Sequence, residues 1–312
     1  MATIGDKVAT RDAYGKFLVN YGKAHEEVVV LDADLSGSTK TKLFCNECND
    51  RFFNMGIAEQ NLMGTAAGLA SSGKTVFAST FAMFATGRAY EIIRNSIAHT
   101  NLNVKVCATH SGITVGEDGA THQTFEDISL MRGLPHMTVT VPADANSATK
   151  LLTEAAESEG PFYVRLGRSA IPVIYDEDAQ MKIGKANMLK DGSKATIIAC
   201  GIMVNEAILA AERLSAEGID VRVLDMHTIK PIDGEAIQKA VLDTGAIVTA
   251  EEHSVIGGLS SAVAEYTSQN CPVKMAFVGQ KDTFGESGKP ADLLVKYNMT
   301  ADDIIKAVKS VI

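Results

Sequence analysis

Short runs of β-branched and aliphatic residues alternate along this chain with amphipathic segments of helical period, and few folds accommodate that pattern. Val28–Leu31, Thr75–Ala78, Val104–Ala108, Thr138–Val141 and Tyr163–Leu166 are short runs rich in β-branched residues, and their alternation with helices reads as a parallel sheet covered on both faces. Between them, 10–24 carries Tyr14, Phe17, Leu18 and Tyr21 on one helical face, and 58–70 is dense in small residues (Gly64, Ala66, Ala67, Gly68) that let a helix approach its neighbour closely. A second cycle starts near Lys194: strand 195–200, helix 206–217 closed by Gly218, strand 221–224, helix 232–244, strand 246–250. The stretch Tyr175–Ser193 has acidic, Lys and Gly residues but little periodicity and reads as a linker. The expected fold class is therefore α/β, with two domains over residues 1–180 and 186–312, each a mostly parallel sheet flanked by helices.

Composition removes several function classes. With 29 basic against 38 acidic residues the net charge is -9, so the footprint of a nucleic-acid binder is missing and any bound anion must be met by a few placed cations. Apolar runs such as 195–200 fall far short of the roughly 18–20 residues that span a bilayer, and the first residues lack the apolar region of a secretory signal. A cytoplasmic protein is expected. Five cysteines in a chain of 312 residues argue against a disulfide framework. Cys45 and Cys48 form C-N-E-C, but no second pair at zinc spacing follows, so two reduced thiols in a surface segment account for them.

The densest polar cluster is His110–Glu126, with two His, three Gly and three acidic residues immediately after a strand. In open α/β sheets ligands sit at the carboxyl ends of strands. A solvated loop explains the Gly, Asp and Glu, but less easily two histidines bracketing Gly116-Glu117-Asp118-Gly119. Glu59 opens the small-residue helix, where a carboxylate is accounted for by the helix dipole alone. Phe81 and Phe84, three apart, are ordinary core spacing. Arg168, in Leu166-Gly167-Arg168-Ser169 at a strand end, suits an ion pair or an anion site.

Taken together these segments carry more. Gly56-Ile57-Ala58-Glu59-Gln60, then Thr80-Phe81-Ala82-Met83-Phe84, then Ala108-Thr109-His110 with Gly116-Glu117-Asp118-Gly119-Ala120-Thr121-His122-Gln123, stand in the order and spacing of the pyrimidine-binding domain of transketolases. The chain resembles the carboxy-terminal part of a transketolase over essentially its whole length. The resemblance implies thiamine diphosphate as cofactor. Glu59 matches the glutamate that hydrogen-bonds N1' of the aminopyrimidine and promotes its 4'-imino tautomer, whose nitrogen removes the C2 proton of the thiazolium. Phe81 and Phe84 match the aromatic residues around that ring, and a third aromatic is replaced by Gly87. His122 and Asp118 match residues that contact the donor's oxygens, His122 with a catalytic role. His110, Arg168, Arg11 and Ser38 match the phosphate end of the sugar channel, where an Arg fork binds phosphate with two hydrogen bonds. Asp34 matches an acidic residue near the cofactor.

One family feature is absent. A complete transketolase holds the diphosphate and its Mg2+ (or Ca2+ or Mn2+) through a Gly-Asp-Gly motif, and none occurs in these 312 residues. The resemblance therefore implies no metal ligand in this chain. It implies instead a separately encoded N-terminal subunit that carries the diphosphate and metal, completing an α2β2 heterotetramer. Such an enzyme moves a two-carbon ketol unit from a ketose phosphate to an aldose phosphate, in the pentose phosphate pathway or a specialised catabolic route. Deoxyxylulose-phosphate synthase shares Gly-Ile-Ala-Glu-Gln, but its pattern differs at His110 and at Gly-Glu-Asp-Gly. The beta chain of a 2-oxoacid dehydrogenase also lacks the diphosphate motif, yet has no use for His110 and Arg168. A regulatory subunit freed from catalysis has no reason to keep Glu59, Asp118, both loop histidines and Arg168.

Overall fold

The computed structural model describes residues 2–312. Fourteen strands follow one another along the described chain: β1 (Lys7–Val8), β2 (Val28–Asp32), β3 (Phe52–Asn54), β4 (Thr75–Ser79), β5 (Val104–Ala108), β6 (Thr138–Thr140), β7 (Phe162–Arg165), β8 (Ile171–Pro172), β9 (Asn187–Lys190), β10 (Thr196–Ala199), β11 (Arg222–Asp225), β12 (Thr228–Lys230), β13 (Ala246–Ser254) and β14 (Lys274–Gln280). A seven-stranded sheet in the order β12-β6-β7-β5-β4-β2-β3 is parallel except for β12, and a five-stranded sheet β14-β13-β10-β11-β9 is parallel except for β9. The α/β architecture with two helix-flanked, mostly parallel sheets is the expected one. Every residue of β2 and β5 is buried, because helices cover both faces.

The helix Thr10–Ala24 buries Ala13, Tyr14, Phe17 and Leu18, and the Tyr14 hydroxyl meets Ser79 Oγ at 2.7 Å. At Gly22 a Cβ would lie 2.3 Å from the Phe44 ring, so glycine sets that approach. In the helix Glu59–Ser71 the close packing is made by the buried Ala66 and Ala67, whereas Gly64 and Gly68 face open space. The expectation that all four small residues serve one helix contact is corrected accordingly. The helix Ala145–Glu157 starts on a reciprocal cap in which Asp144 Oδ1 accepts from Ser147 N–H and Ser147 Oγ from Asp144 N–H. Asp144 Oδ2 accepts from the N–H groups of Ile174 and Tyr175, tying that helix to the chain leaving the first sheet.

Two elements depart from the expected organisation. Within the stretch read as linker, Asn187–Lys190 forms β9 and closes the edge of the second sheet by pairing antiparallel with β11. A short edge strand with no buried residue has no apolar run to announce it. The second departure is β12, which lies in the second half of the chain but pairs with β6 of the first sheet. One continuous apolar cluster runs from Leu31, Val76 and Val139 to Ile198, Ile247 and Leu259, so the two sheets share a core at their junction. Charge is buried there as well. Asp127 is fully buried and takes Arg165 Nε at 2.6 Å and the Tyr163 hydroxyl at 2.7 Å, while Arg165 Nη2 reaches the carbonyl oxygen of Glu252 at 2.9 Å. Burial pushes the Asp127 carboxyl up, but Arg165, the nearby His253 and the Tyr163 hydroxyl together outweigh it and hold the group below its ordinary value. Breaking such a pair costs about 3–5 kcal/mol.

All five cysteines are free, and Cys48 is buried rather than at the surface as its segment suggested. Among the described residues no helix is long and apolar enough to cross a membrane.

Candidate active site

The carboxyl ends of β2, β4, β5 and β7 open on one side of the large sheet, the place where parallel strands present ligand-binding loops. The β4–β5 ladder continues past the strands through a bridge between Phe81 and Thr109, with Thr109 N–H donating to Thr80 O at 3.1 Å and Ala82 N–H to Thr109 O at 2.7 Å. That register sets Phe81 beside His110, their rings stacked 3.8 Å apart at 20°. One turn on, Phe84 stacks with Phe81 at 5.9 Å, and His122 turns its edge to Phe84 at 5.4 Å and to Phe81 at 6.3 Å. Four rings from two loops thus form one wall, and His122 Nδ1 is held by Thr121 Oγ1 at 2.9 Å.

Glu59 begins the helix Glu59–Ser71 and is only 2% exposed. It is not left to the helix dipole: Arg88 Nη1 lies 2.9 Å from its Oε2. The Arg88 guanidinium also sits over the Phe84 ring, 5.1 Å from its centre. A buried carboxylate beside a wall of rings suits an aminopyrimidine, which has a flat ring to stack and a ring nitrogen that can share a proton with a carboxylate, so the residues present fit that group.

At the other end of the wall, cations gather. Arg11 Nη1 donates to Ser38 O at 3.0 Å and to His110 Nε2 at 3.3 Å, so Ser38 takes part through its main chain. Because arginine can only donate, His110 Nε2 is the acceptor and its proton is on Nδ1, shared with Thr109 Oγ1 at 2.9 Å. Burial, then the nearby charges of Arg11, Arg168, His122 and Lys40, push His110 down to about 3. Burial likewise lowers Arg11 against the raising charge of Asp12, with Arg168 lowering it further, and its Nε is buried without a hydrogen-bond partner among the described residues. Lys40 pairs with Asp12 at 3.2 Å and Arg168 with Glu117 at 3.0 Å, so the cations are partly neutralised, while Arg11 Nε keeps an open donor. Arg168 lies three residues beyond the end of β7 rather than in the strand, and its Nη1 contacts Val115 O and, at 3.0 Å, Glu117 Oε2.

The His110 state has a pH consequence. Its folded pKa lies below the ordinary value of 6.5, so between pH 6.5 and about 3 the unfolded chain binds the extra proton, and the contribution of this group to stability falls as pH falls through that window. In a histidine NMR titration the His110 ring is expected to remain neutral down to about pH 5. A midpoint near 6.5 would show that the ring has left its place between Phe81 and Arg11.

The loop Gly112–Gly119 depends on its glycines and on the second domain. Gly112, Gly116 and Gly119 all have φ between 75° and 82°, the left-handed side that favours glycine. A Cβ on Gly112 would fall 2.3 Å from Glu252 Cδ, and one on Gly119 2.4 Å from Ser287 Oγ. Glu252 Oε1 accepts from Thr114 N–H at 2.7 Å, and Gln123 Nε2 donates to Glu286 O at 2.9 Å and to Ile113 O at 3.2 Å. Asp118 ends this loop's 3-10 segment, Ile113–Asp118, and is exposed.

A continuous run of contacts links Glu59, through Arg88, to Phe84, Phe81, His122 and His110, with Arg11, Ser38 and Arg168 beside His110. It does not bring Asp34 to the rings. Asp34 adopts φ 65° and exchanges two hydrogen bonds with Asn54, whose Oδ1 also accepts from Gly56 N–H, so it ties down the loop that leads to Glu59. Sequence reasoning missed Arg88, Lys40 and Glu252. For Arg88 a signal existed: it follows Gly87, where a ring was expected. Lys40 and Glu252 reach the site through the tertiary fold, and no local pattern marks them.

Residues 6–173 match the pyrimidine binding domain of transketolase, and residues 184–304 match the transketolase C-terminal domain. The chain belongs to the transketolase family. Among solved structures, it superposes with TM-score 0.92 and 55% identity on a split gene transketolase described as an inactive beta4 tetramer, covering 97% of this chain and 98% of that one. It is 42% identical over 301 residues to the 6-deoxy-6-sulfo-D-fructose transketolase subunit SqwH of a Clostridium species, covering 96% of this chain and 94% of that one. It is 38% identical over 300 residues to an apulose-4-phosphate transketolase subunit of Phocaeicola vulgatus, covering 96% of each chain. Each of these transketolase relatives is of nearly this length.

Proposed function

We propose that this chain is the pyrimidine-binding and C-terminal subunit of a split transketolase, transferring a two-carbon ketol unit between anionic sugars. The observation that carries the reading is one continuous run of contacts, with Glu59 joined through Arg88 to the stacked ring wall at one end and Arg11, Lys40 and Arg168 gathered about His110 at the other. When bound, thiamine diphosphate supplies the carbon nucleophile and the electron sink for the transfer. Phe81 and Phe84 would hold its pyrimidine by stacking, and Glu59 would hold and move a proton at N1'. His122 and Asp118 would orient the donor's oxygens, and His110, neutral and fixed by Arg11, offers an orientation that does not change around neutral pH. Arg11 and Arg168 would bind the anionic tail, with Lys40 adding field. Asp34 would act through Asn54 and the Glu59 loop rather than on the cofactor directly.

The diphosphate and its magnesium ion belong, in this reading, to a separately encoded subunit, in an α2β2 assembly. The relatives named as subunits, and the inactive beta4 tetramer of a split gene transketolase, support this division of labour. Their names also contain one sulfonated and one phosphorylated sugar. A cationic end built for tetrahedral oxyanions suits both.

Isothermal titration of the isolated chain with thiamine diphosphate and magnesium is expected to show binding weaker than micromolar and no turnover of donor. Co-expression with the diphosphate-binding subunit is expected to restore both. Micromolar or tighter binding by the chain alone, with turnover, would overturn the split-enzyme reading.

A further inference from the structure

Gly87 stands where a third ring would close the pyrimidine pocket, and a Cβ at that position would lie 2.7 Å from Met83 Cε. The segment Phe84–Arg88 is π-helical, and this wider turn places the next side chain, Arg88, over Phe84. There it takes the place of the missing aromatic while keeping a charge that an aromatic lacks. Its Nη1 holds Glu59 Oε2, and Glu59 Oε1 takes no hydrogen bond from a side chain among the described residues. The main chain of Arg88 is tied back to the same helix by Gln60 Nε2, which donates to its carbonyl oxygen at 3.4 Å.

We propose that Arg88 is a positioning residue for Glu59: it anchors one carboxylate oxygen and stacks on Phe84, so that the other oxygen alone is presented to the ring nitrogen of the cofactor. This rests on the function proposed above. A carboxylate with both oxygens free rotates about its last bond, and proton transfer demands a fixed donor–acceptor line. Guanidinium suits the task because it stays charged at every working pH and its flat face packs on an aromatic ring while its edge hydrogen-bonds. Lysine keeps the charge and loses the plane.

The test uses the complex with the diphosphate-binding subunit, comparing wild type with Arg88→Gln and Arg88→Lys. Two quantities are read: kcat, and the pH midpoint of the circular-dichroism signal that distinguishes the amino and imino tautomers of bound thiamine diphosphate. Arg88→Gln is expected to lower kcat roughly 10- to 100-fold, the cost typical of removing a group that orients a directly acting ligand. It is also expected to move the tautomer midpoint upward, because a cation beside the shared proton is gone. Arg88→Lys is expected to leave the midpoint near wild type while kcat stays low, separating charge from geometry. Wild-type kcat in Arg88→Lys, or an unmoved midpoint in Arg88→Gln, would overturn the proposal. If Arg88→Gln does not assemble, the Arg88→Lys result decides alone. A wild-type complex that gives no cofactor signal would instead sink the underlying functional reading.

Discussion

Replacing Glu59 by glutamine is expected to lower turnover of the assembled enzyme roughly 10²- to 10⁴-fold while fold and subunit assembly persist. Glutamine fills the same volume at the start of the helix Glu59–Ser71 and its side-chain oxygen can still accept from Arg88. An amide cannot take up and return a proton, however, and the exchange at the cofactor's ring nitrogen requires that. The measurement is kcat with saturating thiamine diphosphate, alongside a melting curve of the complex. Near-normal turnover would reduce Glu59 to a buried carboxylate that serves only its pair with Arg88.

Arg168→Ala is expected to weaken substrates with an anionic tail by roughly 10- to 150-fold, the range for loss of a charge-assisted contact of about 1.5–3 kcal/mol. An unphosphorylated donor such as hydroxypyruvate should lose almost nothing. The internal control matters because Arg168 Nη1 also contacts Val115 O and Glu117, so its removal frees part of the Gly112–Gly119 loop. A loosened loop would depress both substrates alike, whereas a missing anion contact depresses one. Arg168→Lys should recover part of the loss, since lysine keeps the charge without the fork. Equal falls in kcat/KM for both substrates would make Arg168 structural and leave the anion to Arg11 and Lys40.

Much of this molecule was legible in its sequence, where local rules and global fold agree. Val28–Asp32, Thr75–Ser79 and Val104–Ala108 form strands where short β-branched runs place them, and Thr10–Ala24 is a helix over the range its periodicity predicts. Strands buried on both faces and helices with one buried stripe write their period into the residues. β9 and β12 do not, because each is an edge strand of three or four residues whose pairing is supplied by a neighbour already in place. The glycines of the Gly112–Gly119 loop were visible as a cluster. That they make room for Glu252 and Ser287 of the second domain was not.

The sequence by itself determined the two α/β cycles, the order of the Glu59, Phe81–Phe84 and His110–His122 segments, and the residue types available to a cleft. Tertiary structure decided which of those side chains act on one another. His110 is neutral because packing against Phe81 and beside Arg11 removes it from water, and Asp34 is diverted to Asn54 by a left-handed turn. Arg88, 29 positions from Glu59, becomes its partner only because the helix Glu59–Ser71 and the π-turn after β4 lie against each other. The physical reason is range: periodicity and capping act within a few residues, whereas desolvation and charge pairing depend on distances through space that the fold alone sets.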